Sequence, residues 1–475
     1  MNIIYTDTNT YALSFERECI CYLSKPMTDI INRNGFDVMN SLPTENGNLD
    51  NNTYYIKKYE YLKKHGIIGS VSSVQLGKFT EEQIEWAFFN TPAIVFEVTE
   101  SCNMDCSYCI YGEMYNFSGE RECRYLNADQ MLNAIRAILS KRDPINHHFN
   151  IGFYGGEPLL NFKDIKKVIL TLSSENSQFE IGWLMTTNAS LLTEEICDFC
   201  AANNIDLLIS LDGDRKSNRH RVFKNGKPTY DKVSWNINNL KTKYPDYFKK
   251  RVNFNSVLAT DIPVDEIVKY FNQTYSKTPI LSNLSTLGAK IGDKSIESVL
   301  STSEEADKNK MGAEMIPFME NLTHNKCVDI SSMLKKSKIS NGPVQAVKYF
   351  IPTGRCIPFG KKIFITAAGV IKPCEKIPLD FDLGFFDGNN IEIRFDKVAK
   401  FYNSLYQKIW SECQTCGKLY NCNRCIFHIP QILTNSNIEC DQKQDNAETC
   451  KRYGELCNFI EENPAMYKTF IDINY

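Results

Sequence analysis

The chain has 475 residues, 43% hydrophobic and 23% charged, with a formal net charge of −3. That length suits about two to four domains, and so balanced a charge makes no electrostatic case for nucleic acid. No apolar run of about 18 residues occurs, so no membrane span is expected. The first residues, MNIIYTDTNTYALSFE, lack a basic region followed by an apolar core, so no signal peptide is expected. With no export signal, the 18 cysteines point to thiolates kept reduced in the cytoplasm for metals rather than to disulfides.

Residues 1–85 carry no metal motif. A strand-like start leads into a helix in TDIINRNGF, and NTYYIKKYEYLKKHGII places Tyr, Tyr and Leu at rough helical spacing before Gly66. Residues 86–335 alternate apolar strands with helical stretches. The strands are AIVFEVTESCN (93–103, running into a loop), HFNIGFYGG (148–156), IGWLMTTN (181–188), IDLLISLDG (205–213) and RVNFNSVLA (251–259). Helices are expected in NADQMLNAIRAILSK (127–141) and TEEICDFCAANN (193–204). This alternation predicts a parallel sheet with helical crossovers, with functional groups at the C-terminal ends of its strands. Residues 280–345 are polar, rich in Ser and Lys and poorly periodic, and read as a linker containing helices. Residues 336–475 hold a second block of cysteines and a hairpin with a glycine turn, FITAAGVIKPC (364–374).

Chemistry enters with Cys102, Cys106 and Cys109 in ESCNMDCSYC. Three thiolates this close can ligate three irons of a 4Fe–4S cube and leave the fourth iron open, whereas most such cubes have four cysteines. The C-x₃-C-x₂-C spacing, with Tyr108 before the third cysteine, resembles the signature of radical S-adenosylmethionine (radical SAM) enzymes. In that family the open iron chelates AdoMet, and one electron cleaves it to a 5′-deoxyadenosyl radical. Further elements match. Gly155-Gly156-Glu157-Pro158 resembles the family's GGEP element, whose carboxylate supports the AdoMet ammonium. Asn188, in Thr186-Thr187-Asn188, stands where the family places a ribose-binding polar residue. Ser210-Leu211-Asp212-Gly213, followed by Arg221, resembles the SLDG…R element, whose Ser and Arg contact the ribose and carboxylate of AdoMet. The resemblance implies a partial (β/α)₆ TIM-like barrel.

Cys356, Gly369 and Cys374 in C-x₁₂-G-x₄-C, then Cys413, Cys416 and Cys422 in C-x₂-C-x₅-C with Cys425 close behind, resemble the SPASM domain. That resemblance implies two auxiliary 4Fe–4S clusters, making three in all. Cys413, Cys416 and Cys422 would hold the outer cluster with a fourth cysteine. Cys450, in DNAETCKRYGEL, looks like the family's closing element, while Cys440 is nearer in spacing; both stay open. Cys356, Cys374 and Cys425 would hold the inner cluster. Two departures stand out: Cys422 and Cys425 are C-x₂-C where C-x₃-C is usual, and no cysteine lies six residues before Cys356. The inner cluster would then have an open iron or recruit Cys440 or Cys327.

Residues 1–85 resemble, more loosely, the small winged-helix modules that capture leader peptides. Together the parts resemble radical SAM peptide maturases: an α/β barrel with a winged-helix-like N-terminal module and a C-terminal SPASM domain. The implied activity is a crosslink, a thioether first, in a ribosomally made precursor peptide with a leader. The implied cofactors are AdoMet and three 4Fe–4S clusters, and the implied partner is a one-electron donor of flavodoxin or ferredoxin type. Two other readings remain: an anaerobic sulfatase maturase making formylglycine, and a non-enzymatic iron–sulfur electron carrier or peptide-binding protein.

Overall fold

A computed structural model describes residues 2–14, 19–34, 51–64, 74–115, 121–175, 177–259, 262–282, 284, 289–290, 349–353, 357–377, 381–417, 419, 422, 424–429, 432–433, 438–440, 443 and 445–462. In chain order the first elements are strands β1 (Asn2–Tyr5), β2 (Thr10–Ser14) and β3 (Cys19–Tyr22), helices α1 (Lys25–Asn34) and α2 (Asn51–Lys64), the short strand β4 (Gln75–Leu76) and α3 (Glu81–Phe89). Next come β5 (Ala93–Thr99), α4 (Ala128–Leu139), β6 (His148–Gly155), α5 (Phe162–Ser174), β7 (Glu180–Thr187), α6 (Glu194–Ala202) and β8 (Asp206–Ser210). They are followed by α7 (Tyr230–Lys243), α8 (Pro245–Arg251), β9 (Val252–Val257), α9 (Val264–Tyr275) and β10 (Ile280–Ser282). The last are β11 (Tyr349–Phe350), β12 (Ile363–Ile365), β13 (Val370–Lys372), β14 (Gly384–Phe386), β15 (Ile391–Ile393), α10 (Phe395–Cys413) and α11 (Asn446–Glu462).

Two compact units emerge: residues 79–321 with 356–402, and residues 1–78 with 322–355 and 403–475. The first is built on one ten-stranded sheet in the order β10-β9-β8-β7-β6-β5-β12-β13-β14-β15. From β5 to β10 every neighbouring pair is parallel, and each crossover is helical. In β5 the alternate residues Ile94, Phe96 and Val98 share one face and are fully buried, and Glu97 and Thr99 on the other face are buried too. Burying an apolar side chain of the size of Ile94 contributes about 1.5–3 kcal/mol. The helices start where the sequence supplies caps: Asn127 and Gln130 form a reciprocal capping box for α4, and Thr193 caps α6.

Beyond β5 the sheet continues through β12, which runs parallel to β5, and then through the antiparallel strands β13, β14 and β15. The expected hairpin with a glycine turn is β12–β13. Gly369 has φ +85, and a Cβ there would lie 2.1 Å from the Phe386 carbonyl oxygen. In the stretch read as a linker, Ile280–Ser282 is instead a strand on β9. Its residues 283, 285–288 and 291–345, with Cys327, lie outside the described residues, as does Cys356.

In the second unit β1, β2 and β3 form an antiparallel meander. Ala12, Leu23, Met27, Ile31, Tyr59 and Leu62 make a buried core beneath it with α1 and α2. Helix α11 packs on β1. Its Glu461 carboxylate accepts hydrogen bonds from Thr6 Oγ1 (3.1 Å), Thr8 Oγ1 (2.6 Å), Asn9 Nδ2 (3.0 Å) and Tyr11 Oη (2.6 Å). The N-terminal hairpin and the C-terminal helix are thus one folded piece. Among the described residues no helix is long and apolar enough to cross a membrane.

Candidate active site

The loop after β5 carries Cys102, Cys106 and Cys109, and two neighbours clasp it. On one side, Gly156 N donates to Thr99 O (2.9 Å) and Glu157 N to Ser101 O (2.9 Å). This approach explains the two glycines. Gly155 has φ +124, and a Cβ on Gly156 would lie 2.0 Å from the Ser101 carbonyl oxygen. Their freedom lets β6 end against the backbone of the cysteine loop itself. On the other side, Asp105 N donates to Val222 O (2.8 Å) and Ser107 N to His220 O (3.2 Å). The residues after SLDG therefore brace the same loop.

The sequence motifs converge. One cavity is lined by Cys102, Cys106, Cys109, Tyr108, Gly155, Gly156, Glu157, Asn188, Ser210 and Arg221, which are the three cysteines expected to hold the AdoMet-binding cluster and all seven expected cofactor contacts. Burial dominates the thiols: it pushes Cys102 up to about 11 and Cys106 up to about 12, and raises Cys109. Such thiols stay protonated at neutral pH unless a cation takes the proton's place, which bound iron does. Met104 N already donates to Cys102 Sγ (3.4 Å). The donor set therefore fits an iron–sulfur group. Among the described residues no three His, Cys, Asp or Glu side chains close on a point fit for one ion. Thiolates at ~2.3 Å from a single zinc crowd together; a four-iron cube holds them farther apart.

The polar residues are more committed to the protein than their motifs imply. Glu157 is fully buried. Its carboxylate accepts from Thr187 Oγ1 (2.6 Å), Leu159 N (3.1 Å) and Asn188 N (2.8 Å). Burial nevertheless raises its pKa to about 7. Asn188 Oδ1 accepts twice from Ser190, and its Nδ2 donates to Asn103 Oδ1 (2.9 Å) while lying 3.9 Å from Cys102 Sγ. Arg221 sends Nε to Asp212 Oδ2 and Nη2 to Asp212 Oδ1, both at 3.0 Å. Asp212 also accepts from Tyr108 Oη and from Val257 N (3.0 Å).

Two groups escaped the motif reading. Asp212 is the hub that fixes Tyr108 and Arg221, yet within SLDG it offers no signal of that role. Glu375 lines the cavity and is paired with Lys362. Burial opposes its ionisation, but the Lys362 ammonium holds its carboxyl below the usual range. Its signal is faint: an acid directly after Cys374, facing a lysine just before the partner strand of the hairpin.

In the other unit, Cys413, Cys416, Cys422 and Cys440 line a second cavity. Burial, then the neighbouring thiols Cys422, Cys440 and Cys416, push Cys413 up to about 12. Cys450 does not line that cavity; it sits on α11. Cys374 and Cys425 belong to different units.

Residues 96–273 match the Radical SAM superfamily. The radical SAM cyclopropyl synthase TigE of Paramaledivibacter caminithermalis is 27% identical over 204 residues, covering 41% of this chain and 40% of that protein. A cysteine-type anaerobic sulfatase-maturating enzyme of Clostridium novyi is 25% identical over 186 residues, covering 38% and 47%. The chain thus spans less than half the length of these curated relatives. The solved structure of anSMEcpe with bound AdoMet shares the fold, with a TM-score of 0.56 and 18% identity over 80% of this chain and 96% of that one. The chain carries a radical SAM domain, the mark of a class of enzymes that bind a 4Fe–4S cluster and AdoMet.

Proposed function

We propose that this protein is a peptide maturase: it uses AdoMet to crosslink a ribosomally made precursor peptide, the first product expected being a thioether. The observation that carries the reading is the single cavity onto which the cysteine loop, Glu157, Asn188, Ser210 and Arg221 converge. Cys102, Cys106 and Cys109 would hold a 4Fe–4S cluster there, which would supply the electron for reductive cleavage of AdoMet. Tyr108 and Arg221, immobilised by Asp212, shape the AdoMet side. Glu375, kept ionised by Lys362, stands in the same cavity as an acceptor for a proton released by substrate. The four thiols Cys413, Cys416, Cys422 and Cys440 are assigned to the outer auxiliary cluster, with Cys440 in place of Cys450. The inner cluster is assigned to Cys356, Cys374 and Cys425. Residues 1–85 are assigned to leader capture, with a flavodoxin- or ferredoxin-type protein as donor and the cytoplasm as location.

The test joins two readouts. Anaerobically reconstituted protein with dithionite should convert AdoMet to methionine and 5′-deoxyadenosine. A short peptide encoded beside the gene should lose two hydrogens, the mass change of a crosslink. Replacing Cys102, Cys106 and Cys109 together by Ala should remove about four of about twelve irons and abolish cleavage. Unchanged iron content in that variant would sink the assignment. The similarity to sulfatase maturases supports a second reading, formylglycine formation. A sulfatase peptide converted in place of the neighbouring one would establish that alternative.

A further inference from the structure

Beside the four-cysteine cavity, Thr353 is held in a way that nothing among the described residues rewards. It follows β11, is 1% exposed, and has φ +58. A β-branched residue in the left-handed region is a genuine outlier, because its Cβ substituents crowd the backbone. Its hydroxyl is also buried, with no hydrogen-bond partner among the described residues. A glycine would remove the first cost and an alanine the second, yet the chain accepts both. Buried unpaired hydroxyls and strained backbones of this kind cluster where a ligand completes the site. Here the residue lines the cavity shared by Cys413, Cys416, Cys422 and Cys440.

We propose that the Thr353 hydroxyl donates a hydrogen bond to a sulfur of the iron–sulfur cluster on those four cysteines and thereby raises its reduction potential. The proposal rests on the reading of those cysteines as a cluster site. Reduction adds a negative charge that spreads onto the sulfurs, so a donor bonds the reduced cluster more strongly than the oxidised one. Arg424 lines the same cavity, as do the paired Lys443 and Glu412, and its positive charge favours the same redox state. A cluster poised upward in this way suits an acceptor of the electron left over when a substrate radical closes its crosslink.

The experiment is an EPR-monitored redox titration of full-length, iron-loaded protein. It is done in the background lacking Cys102, Cys106 and Cys109, so that only auxiliary clusters report. Cys413→Ala in that background identifies the couple by its disappearance together with about four irons. If Cys413→Ala loses no iron, the four-cysteine reading itself fails. With the couple identified, Thr353→Val should keep the iron and shift the reduction equilibrium about tenfold against reduction, about 59 mV for one electron. Thr353→Ser, which keeps the hydroxyl, should stay at the parent potential. Should Thr353→Val load iron poorly, Thr353→Ala compared with Thr353→Ser reads the same hydroxyl. A change of less than twofold between hydroxyl-bearing and hydroxyl-free variants that retain the cluster overturns the proposal.

Discussion

Asp212→Asn tests whether one buried carboxylate organises the AdoMet side of the cavity. The side chain of Asp212 is 2% exposed and that of Arg221 9%. Asparagine keeps the Oδ1 acceptor, so Val257 N and Arg221 Nη2 can retain their bonds. It turns Oδ2 into an amide nitrogen, which cannot accept from Arg221 Nε or from Tyr108 Oη. A buried guanidinium then faces a donor and no balancing charge. Breaking one partner of such a pair costs about 3–5 kcal/mol. Arg221→Gln removes the stranded charge, so the double variant should recover part of the loss, with a coupling of about 2–3 kcal/mol. The assay is a urea-unfolding cycle on the four proteins at neutral pH, together with AdoMet affinity by equilibrium dialysis. Asp212→Asn should weaken AdoMet binding with iron content unchanged, because Tyr108 and Arg221 lose their fixed positions. A coupling below about 0.5 kcal/mol, with AdoMet affinity intact, would refute the hub.

Other expectations are narrower. Cys440→Ala should cost about four irons while Cys450→Ala costs none; the reverse outcome would return the outer cluster to Cys450. Glu157 shifts from 4.5 to about 7, a rise of 7 − 4.5 = 2.5. Its proton is thus held more tightly in the folded state, and its contribution is complete below about 4.5 and lost as pH rises through about 7. In iron-free protein that amounts to about 3 kcal/mol, so urea midpoints should fall between pH 4.5 and 7.5 and the slope should flatten in Glu157→Gln. Glu461 has the opposite sign. Burial opposes its ionisation, but hydrogen bonds from Thr8, Tyr11, Asn9 and Thr6 hold its carboxyl at about 2. The clamp therefore contributes stability above the ordinary glutamate range and loses it as pH falls towards about 2. Glu461→Ala should loosen the first hairpin, seen as faster amide exchange at Tyr11 and Ala12. If exchange there is unchanged, the clamp is not holding the sheet.

The parts of this molecule that were legible in the sequence are those whose physics is local. The strands from β5 to β9 are apolar runs bounded by turn residues, and helices α4 and α6 carry their own caps, so each lies within two residues of its expected bounds except at the C-terminal ends of β5 and β8, where the expected stretches run on into the loops. The cysteine loop and the elements at the next three strand ends were legible for the same reason: each is a short, unusual string. Long-range pairing was not. Nothing local says that Ile363–Ile365 will run beside Ile94–Phe96, or that three residues of a polar stretch will extend the sheet at Ile280–Ser282. The choice between Cys440 and Cys450 stays open at sequence level for a related reason. The stretch around Cys450 is helical, and packing of α11 on β1 decides where that thiol lies.

The glycine pair shows how a motif can carry an incomplete physical reason. Two glycines before a buried acid imply a backbone that must approach something closely, and a bound ligand is the natural candidate. In the fold the close partner is protein. The Thr99 and Ser101 carbonyls stand where a Cβ on Gly155 or Gly156 would go, and Glu157 bonds Thr187, Asn188 and its own turn. The strand end that would touch AdoMet is thereby bolted to the loop that would hold the cluster, and Arg221 is bolted to Asp212 behind them. A radical generated between two such elements is useful only if the distance between iron and AdoMet is fixed. Residues that spend their hydrogen bonds on one another, and only the remainder on the ligand, are what fixes it.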